Sequence, residues 1–199
     1  MTFKHIKHAP FAVMLAWSLA VEGTALANVV YVAPPCAADK AGCGSDSNSG
    51  VTADSPVATI TKGIEKAGRG GEVRVAVGRF DGLVKSGAGV SIRGGYNADF
   101  SGRKDLSEAT LRSKEHDPGK YPEHTVLTND KGDRAVVLDA TNGGGALDNL
   151  VIIGPSVGTK DGASSYAVVV QGGQAALRNV KTVSYTHLRA HETKANLVC

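Results

Sequence analysis

Aromatic residues are scarce: Trp, Tyr and Phe make up 5% of the 199 residues. So few bulky anchors beside 25 glycines argue for a chain that turns often, as β-rich proteins do. Charge of one sign is equally thin. The formal net charge is +3, too little to point to nucleic acid or to an anionic membrane surface. The N-terminal apolar run, APFAVMLAWSLAV, has 13 residues, short of the ~20 that a membrane-spanning helix needs. Cysteine is limited to three residues without C-x-x-C spacing, which argues against a thiol redox pair or a zinc half-site. GRGG and NGGGA lack the spacing of a phosphate-binding loop, and neither is followed by Lys-Ser or Lys-Thr.

What is present at the start is an export signal. Lys4 and Lys7 precede the apolar run, and Ala25-Leu26-Ala27 closes it in a small-x-small pattern. That order predicts a signal peptide over residues 1–27 and a mature chain that is secreted, periplasmic or at the cell surface, with no membrane span after cleavage. Cys36 and Cys43, seven apart in the polar loop PPCAADKAGCGSDSNSG, predict a local disulfide of modest stabilising effect in that oxidising compartment.

Past residue 28 the chain reads as short β-runs between Gly, Asn, Asp and Ser turns. NVVYVAP is the first. Ile60, Ile64 and Ala67 then recur at helical spacing before a stop at Gly68 to Gly71. EVRVAVG, GVSIRGG, HTVLTN, AVVLDA, LDNLVIIG, YAVVVQGG and ALRNVK follow, a density that suits a sandwich, a barrel or a solenoid. A repeat favours the solenoid. AVVLDATNGGGALDNLVIIG and AVVVQGGQAALRNVKTV share an Ala-Val-Val-aliphatic run, a glycine-rich turn and Ala-Leu-x-Asn-aliphatic, with Asn149 and Asn179 30 residues apart. Stacked coils of a parallel β-helix fit this, with turn asparagines repeating as a ladder. Two similar hairpins in a sandwich are the alternative.

The stretch YVAP, GSDSNSG, SPVATITKGIEKA, GGEVRVAVGRFDG, VSIRGGYNADF resembles the opening of bacterial secreted right-handed β-helix proteins of the pectate-lyase-like architecture, over about residues 31–181. The resemblance implies an all-β fold, a right-handed parallel β-helix (solenoid) with a short N-terminal capping helix. Residues 28–72 would hold the first strand, disulfide loop and cap, and residues 73–181 the first coils, with a polar insert around 96–123. Burying Ile60 and Ile64 over the first coil would protect its open edge. The architecture hosts enzymes and passive surface proteins alike, so activity needs its own residues.

Those residues are thin. Asp46-x-Asn48-x-Gly50 resembles the start of a calcium loop, but Val57 stands where the last acidic ligand is needed, and a solvated turn is the better reading. The Asp-Asp pair and Gly-His-Gly segment of β-helix hydrolases are absent. Asp133, Arg134, Asp139, Asp148 and Arg178 have chemistry suited to a lyase or hydrolase, although ordinary exposed turns also use such residues. No Asp cluster with Arg or Lys is expected on one outer face, so the fragment leans away from catalysis. His116 and His124 flank a Pro/Gly-containing loop without a third ligand and read as surface histidines.

Residues 183–199, VSYTHLRAHETKANLVC, break the β pattern. His187 and His191 stand four apart beside Glu192, spacing that puts two imidazoles on one helix face. The segment also resembles the in-frame translation of a transposase-type sequencing-library adapter, with an index supplying residues 193–196. That reading accounts at once for the histidines, the unpaired Cys199 and the lost periodicity. The expectation is therefore an N-terminal fragment whose native sequence stops at Lys181, truncated before any C-terminal cap, with no metal and no cofactor. Its role is structural or adhesive, with a polysaccharide or cell-surface glycan as partner. The alternative is the N-terminal part of a polysaccharide lyase or glycoside hydrolase whose catalytic coils are missing.

Overall fold

The computed structural model describes residues 28–36, 42–87, 89–115, 117–141, 143–156 and 164–183. The signal-peptide stretch, His116, and the tail with His187, His191, Glu192 and Cys199 lie outside the described residues. Strand β1 (Val29–Val32) buries Val30 and Val32 by simple alternation. Cys36 and Cys43 are joined by a disulfide with Cα atoms 5.4 Å apart. Helix α1 (Ile60–Ala67) starts where Thr59 Oγ1 accepts the Lys62 N–H. Asp46 braces that start, accepting from the Ala58 and Thr59 amides at 3.0 and 2.9 Å and from the Thr59 hydroxyl. The calcium-like loop is thus a helix brace rather than only a solvated turn. Gly68, at φ 66°, ends the helix. Gly63 lets the helix sit down on the sheet, because a Cβ there would lie 2.6 Å from Val32 Cγ2.

Nine further strands follow: β2 (Glu72–Ala76), β3 (Gly78–Asp81), β4 (Val84–Ser86), β5 (Ser91–Tyr96), β6 (Thr125–Thr128), β7 (Arg134–Asp139), β8 (Ala146–Ile153), β9 (Tyr166–Gln171) and β10 (Ala176–Val183). Every pairing between named strands is parallel, so hairpins do not join them. One sheet holds seven strands in the order β1-β2-β5-β8-β6-β3, with β10 on β8; the other holds β4-β7-β9.

The seven-stranded sheet bends in the middle of β8. Residues 146–148 pair with β5, whereas residues 151–153 pair with β6. Between them Asn149 takes a left-handed backbone, φ 60°, and Asn179 does the same in β10, φ 51°. Three rows result, each stacking apolar residues in register. Val30, Val73, Ile92 and Leu147 form one buried column; Leu127 and Ile152 belong to a second, Val84 and Val136 to a third. All lie in one core cluster. Each such side chain contributes roughly 1.5–3 kcal/mol on burial.

Residues 97–124 loop out between β5 and β6. Helix α2 (Glu108–Arg112), capped by Ser107, and a 3-10 turn at Pro118–Lys120 lie within this insert. Its sequence reads as polar, yet Leu106, Leu111 and Tyr121 pack on Val126, Val151, Ile153 and Val183, on the outside of the second row. At the other limit of the stack, among the described residues, β10 pairs with β8 alone. There Leu177 is 44% exposed and Val170 42%.

Candidate functional site

The outer face of β4-β7-β9 carries a groove of about 550 Å³. Strand alternation aims its side chains. Val84 and Ser86 turn inward, so Lys85 points out. Asp139 and Gln171 are register partners at the ends of β7 and β9 and both are exposed. The loop before β7 supplies Lys131 and Asp133, and the first residue of β7 is Arg134. Buried Asn129 shapes that loop, donating to the Arg134 carbonyl at 2.7 Å and accepting from the Lys131 amide at 3.1 Å.

Charge in the groove divides into held and free groups. Arg134 grips Asp133 through Nε and Nη2, at 2.8 and 2.6 Å, and this hydrogen bonding holds the Asp133 carboxyl below its ordinary range. The Thr141 hydroxyl and amide bond Asp139 Oδ1 at 2.6 and 3.0 Å and lower its pKa likewise. Both carboxylates are therefore ionised acceptors at neutral pH, and neither is set up as the raised-pKa acid that glycoside hydrolysis needs. Among the described residues neither Lys85 nor Lys131 has an ion-pair partner.

The remaining two candidates lie on a different face. Asp148 and Arg178 are register partners on β8 and β10. Asp148 is bound by Arg103 of the insert at 3.0 Å. The same outward column holds Tyr31, Arg74 and Arg93. Glu72 pairs with Arg74 at 2.7 Å and Arg93 at 3.3 Å, and Arg74 lies over the rings of Tyr31 and Tyr96 at 5.8 and 5.7 Å. Asp148 thus anchors the insert, and it does not share a site with Asp133 and Asp139.

No family model, curated protein or solved structure matches the chain. The expectation that no Asp would cluster with Arg or Lys on one outer face is corrected by the groove, which gathers Asp133, Arg134, Asp139, Lys85 and Lys131. The reason is pairing at a distance: Lys85 comes beside β7 only because β4 and β7 stack. The sequence does not single out Lys85, Lys131, Asn129 or Gln171; strand register places Lys85 and Gln171, and Asn129 and Lys131 share the loop of Asp133. Among the described residues no group of three His, Cys, Asp or Glu side chains is placed to hold a metal, and no helix is long and apolar enough to cross a membrane.

Proposed function

We propose that the chain is part of an exported right-handed parallel β-helix protein of the pectate-lyase-like architecture, with a structural or adhesive role at the cell surface, and that its β4-β7-β9 groove contacts carbohydrate. The observation that carries this reading is the parallel, in-register stacking of three strand rows together with the asparagine pair, Asn179 Nδ2 donating to Asn149 Oδ1 at 2.8 Å. The groove supports the ligand class. It offers two free ammonium donors, the Gln171 amide and the ionised Asp139 along an open surface. Hydroxyl-rich chains are bound by such mixed donors and acceptors.

One observation favours the alternative, a polysaccharide lyase or hydrolase: carboxylates and cations share a single groove. The held state of both carboxylates argues for binding over proton transfer. The resemblance of residues 183–199 to a translated adapter is a separate proposal, which resequencing the locus past codon 181 tests.

Titration of the chain with neutral and uronate-containing oligosaccharides, followed by amide chemical shifts, tests the glycan reading. Saturable shifts at Lys85, Lys131 and Gln171, weakened several-fold by Lys85→Ala with Lys131→Ala, are expected. No saturation by any oligosaccharide at millimolar concentration overturns it. Release of reducing ends during the titration favours the enzyme instead.

A further inference from the structure

The insert 97–124 returns to the sheet at His124, the residue immediately before β6. Its backbone is fixed from both sides, the amide donating to the Tyr121 carbonyl and the carbonyl accepting from Gly78, each at 3.1 Å. The side chain is half-buried. Its Nδ1 is shut away from solvent and, among the described residues, has no hydrogen-bond partner, an uncommon state for a buried polar atom. The ring lies 6.3 Å from that of Tyr121, and Tyr121 is one of the three apolar side chains that seat the insert.

We propose that the insert is an acid-released flap over the outer face of the second strand row, with His124 as its trigger. A neutral imidazole can leave Nδ1 as an unprotonated acceptor with nothing to donate. A protonated one must place a second N–H, and the charge, at a shut-away position where Nδ1 has no hydrogen-bond partner among the described residues.

The surrounding charges add to this. Burial, then Lys104, push the His124 pKa below its ordinary 6.5, and Glu123 opposes them. Glu123 is itself engaged by the Lys104 ammonium, so its charge is already shared. Glu115, hydrogen-bonded to the Asp117 amide, and Lys120 line the same hollow. From β10, Lys181 comes within 6.0 Å of the Tyr121 ring and donates to the Ser113 carbonyl. Lys181 is 5% exposed, and burial lowers its pKa as well. The docked insert therefore covers one cation and must accept a second when His124 protonates.

The linkage has a definite sign. The released state, with an ordinary histidine, takes up the proton first as pH falls through about 6.5. Docking is complete above that value and weakens below it. Release would uncover the strip formed by Val126, Val151, Ile153 and Val183.

Hydrogen exchange of the full chain at pH 7 and pH 5, corrected for intrinsic exchange rates, tests the flap. The amides of Leu106, Leu111 and Tyr121 are expected to lose protection on acidification by about twofold or more relative to Val73 and Ile92, as a locally opening unit does. His124→Gln, neutral at both pH values, is expected to remove that difference. Unchanged relative protection in the parent chain, or an equal loss in His124→Gln, overturns the proposal. If the variant fails to fold, the titration of the His124 ring protons in the parent chain decides: a midpoint at or above 6.5 refutes the trigger.

Discussion

Replacing Asn149 with alanine is the most informative single perturbation of this fold. The side chain is 1% exposed and uses its full capacity. Oδ1 accepts from the Leu106 amide at 2.7 Å and from Asn179 Nδ2 at 2.8 Å. Nδ2 donates to the Gly94 carbonyl at 3.1 Å and the Lys104 carbonyl at 2.8 Å. One residue thus ties β5, the insert and β10 to the bend of β8. Each lost bond costs about 0.5–1.5 kcal/mol net, and more where a buried partner stays unsatisfied. Placing alanine at φ 60° adds roughly 1–2 kcal/mol. The sum is about 3–8 kcal/mol, comparable to the whole stability of a small domain, about 5–15 kcal/mol. Asn149→Gly separates the two causes, since glycine removes the hydrogen bonds but tolerates the backbone. Urea unfolding followed by far-ultraviolet circular dichroism measures both variants. Alanine should be the worse by about 1 kcal/mol or more, with glycine still well below the parent. A loss under about 1 kcal/mol for Asn149→Ala would refute the claim that this residue stitches the rows together.

Other perturbations probe separate joints. Gly95→Ala should destabilise strongly, because φ is 84° and a Cβ would meet Asn149 Nδ2 at 2.1 Å; thermal melting should show a lowered Tm, and an unchanged Tm contradicts the packing. Thr59→Ala should cost about 1 kcal/mol through the lost helix cap, read by the same urea titration. Asp81 has its carboxyl lowered from 3.8: burial raises it, but the Thr128 hydroxyl and Arg79 outweigh that. The stability this contributes is present above pH 3.8 and lost as pH falls through the lower folded value, so Tm against pH should fall more steeply there than in Asp81→Asn. Leu177→Lys should reduce self-association in light scattering, since Leu177 on β10 and Val170 and Tyr166 on β9 are exposed and β10 has β8 as its one strand partner among the described residues; equal association by both chains refutes that surface as the cause.

The sequence carries β2 and β5 to β9 openly because each buries apolar residues between turn signals, Val73 and Val75 in β2, Ile92 in β5 and Leu150 to Ile153 in β8 among them, whereas β10 is legible as a repeat of the β8 motif. It hides β3 and β4. GRFD and VKS bury little apolar surface of their own, Phe80 in one and Val84 in the other, and their strand character comes from pairing with β6 and β7. Helix α2 is hidden for a related reason: five residues in a polar stretch, none of them buried, show no periodicity. Leu106, Leu111 and Tyr121 are too widely spaced to advertise an apolar underside. The Asn149–Asn179 ladder was legible because two copies of one motif share a register. The groove was not, because Lys85 and Asp139 come to line one surface only across stacked strands.

The central claim is that the rows stack in parallel as coils, and inter-strand nuclear Overhauser contacts in the isotope-labelled chain test it most directly. Neighbouring antiparallel strands bring α-protons together, and parallel strands do not. The account predicts amide-to-α-proton contacts linking Val30 with Val73, Val73 with Ile92, Ile92 with Leu147 and Leu147 with Leu177. Strong contacts between α-protons of consecutive strands, β9 and β10 above all, would contradict it and return the hairpin sandwich.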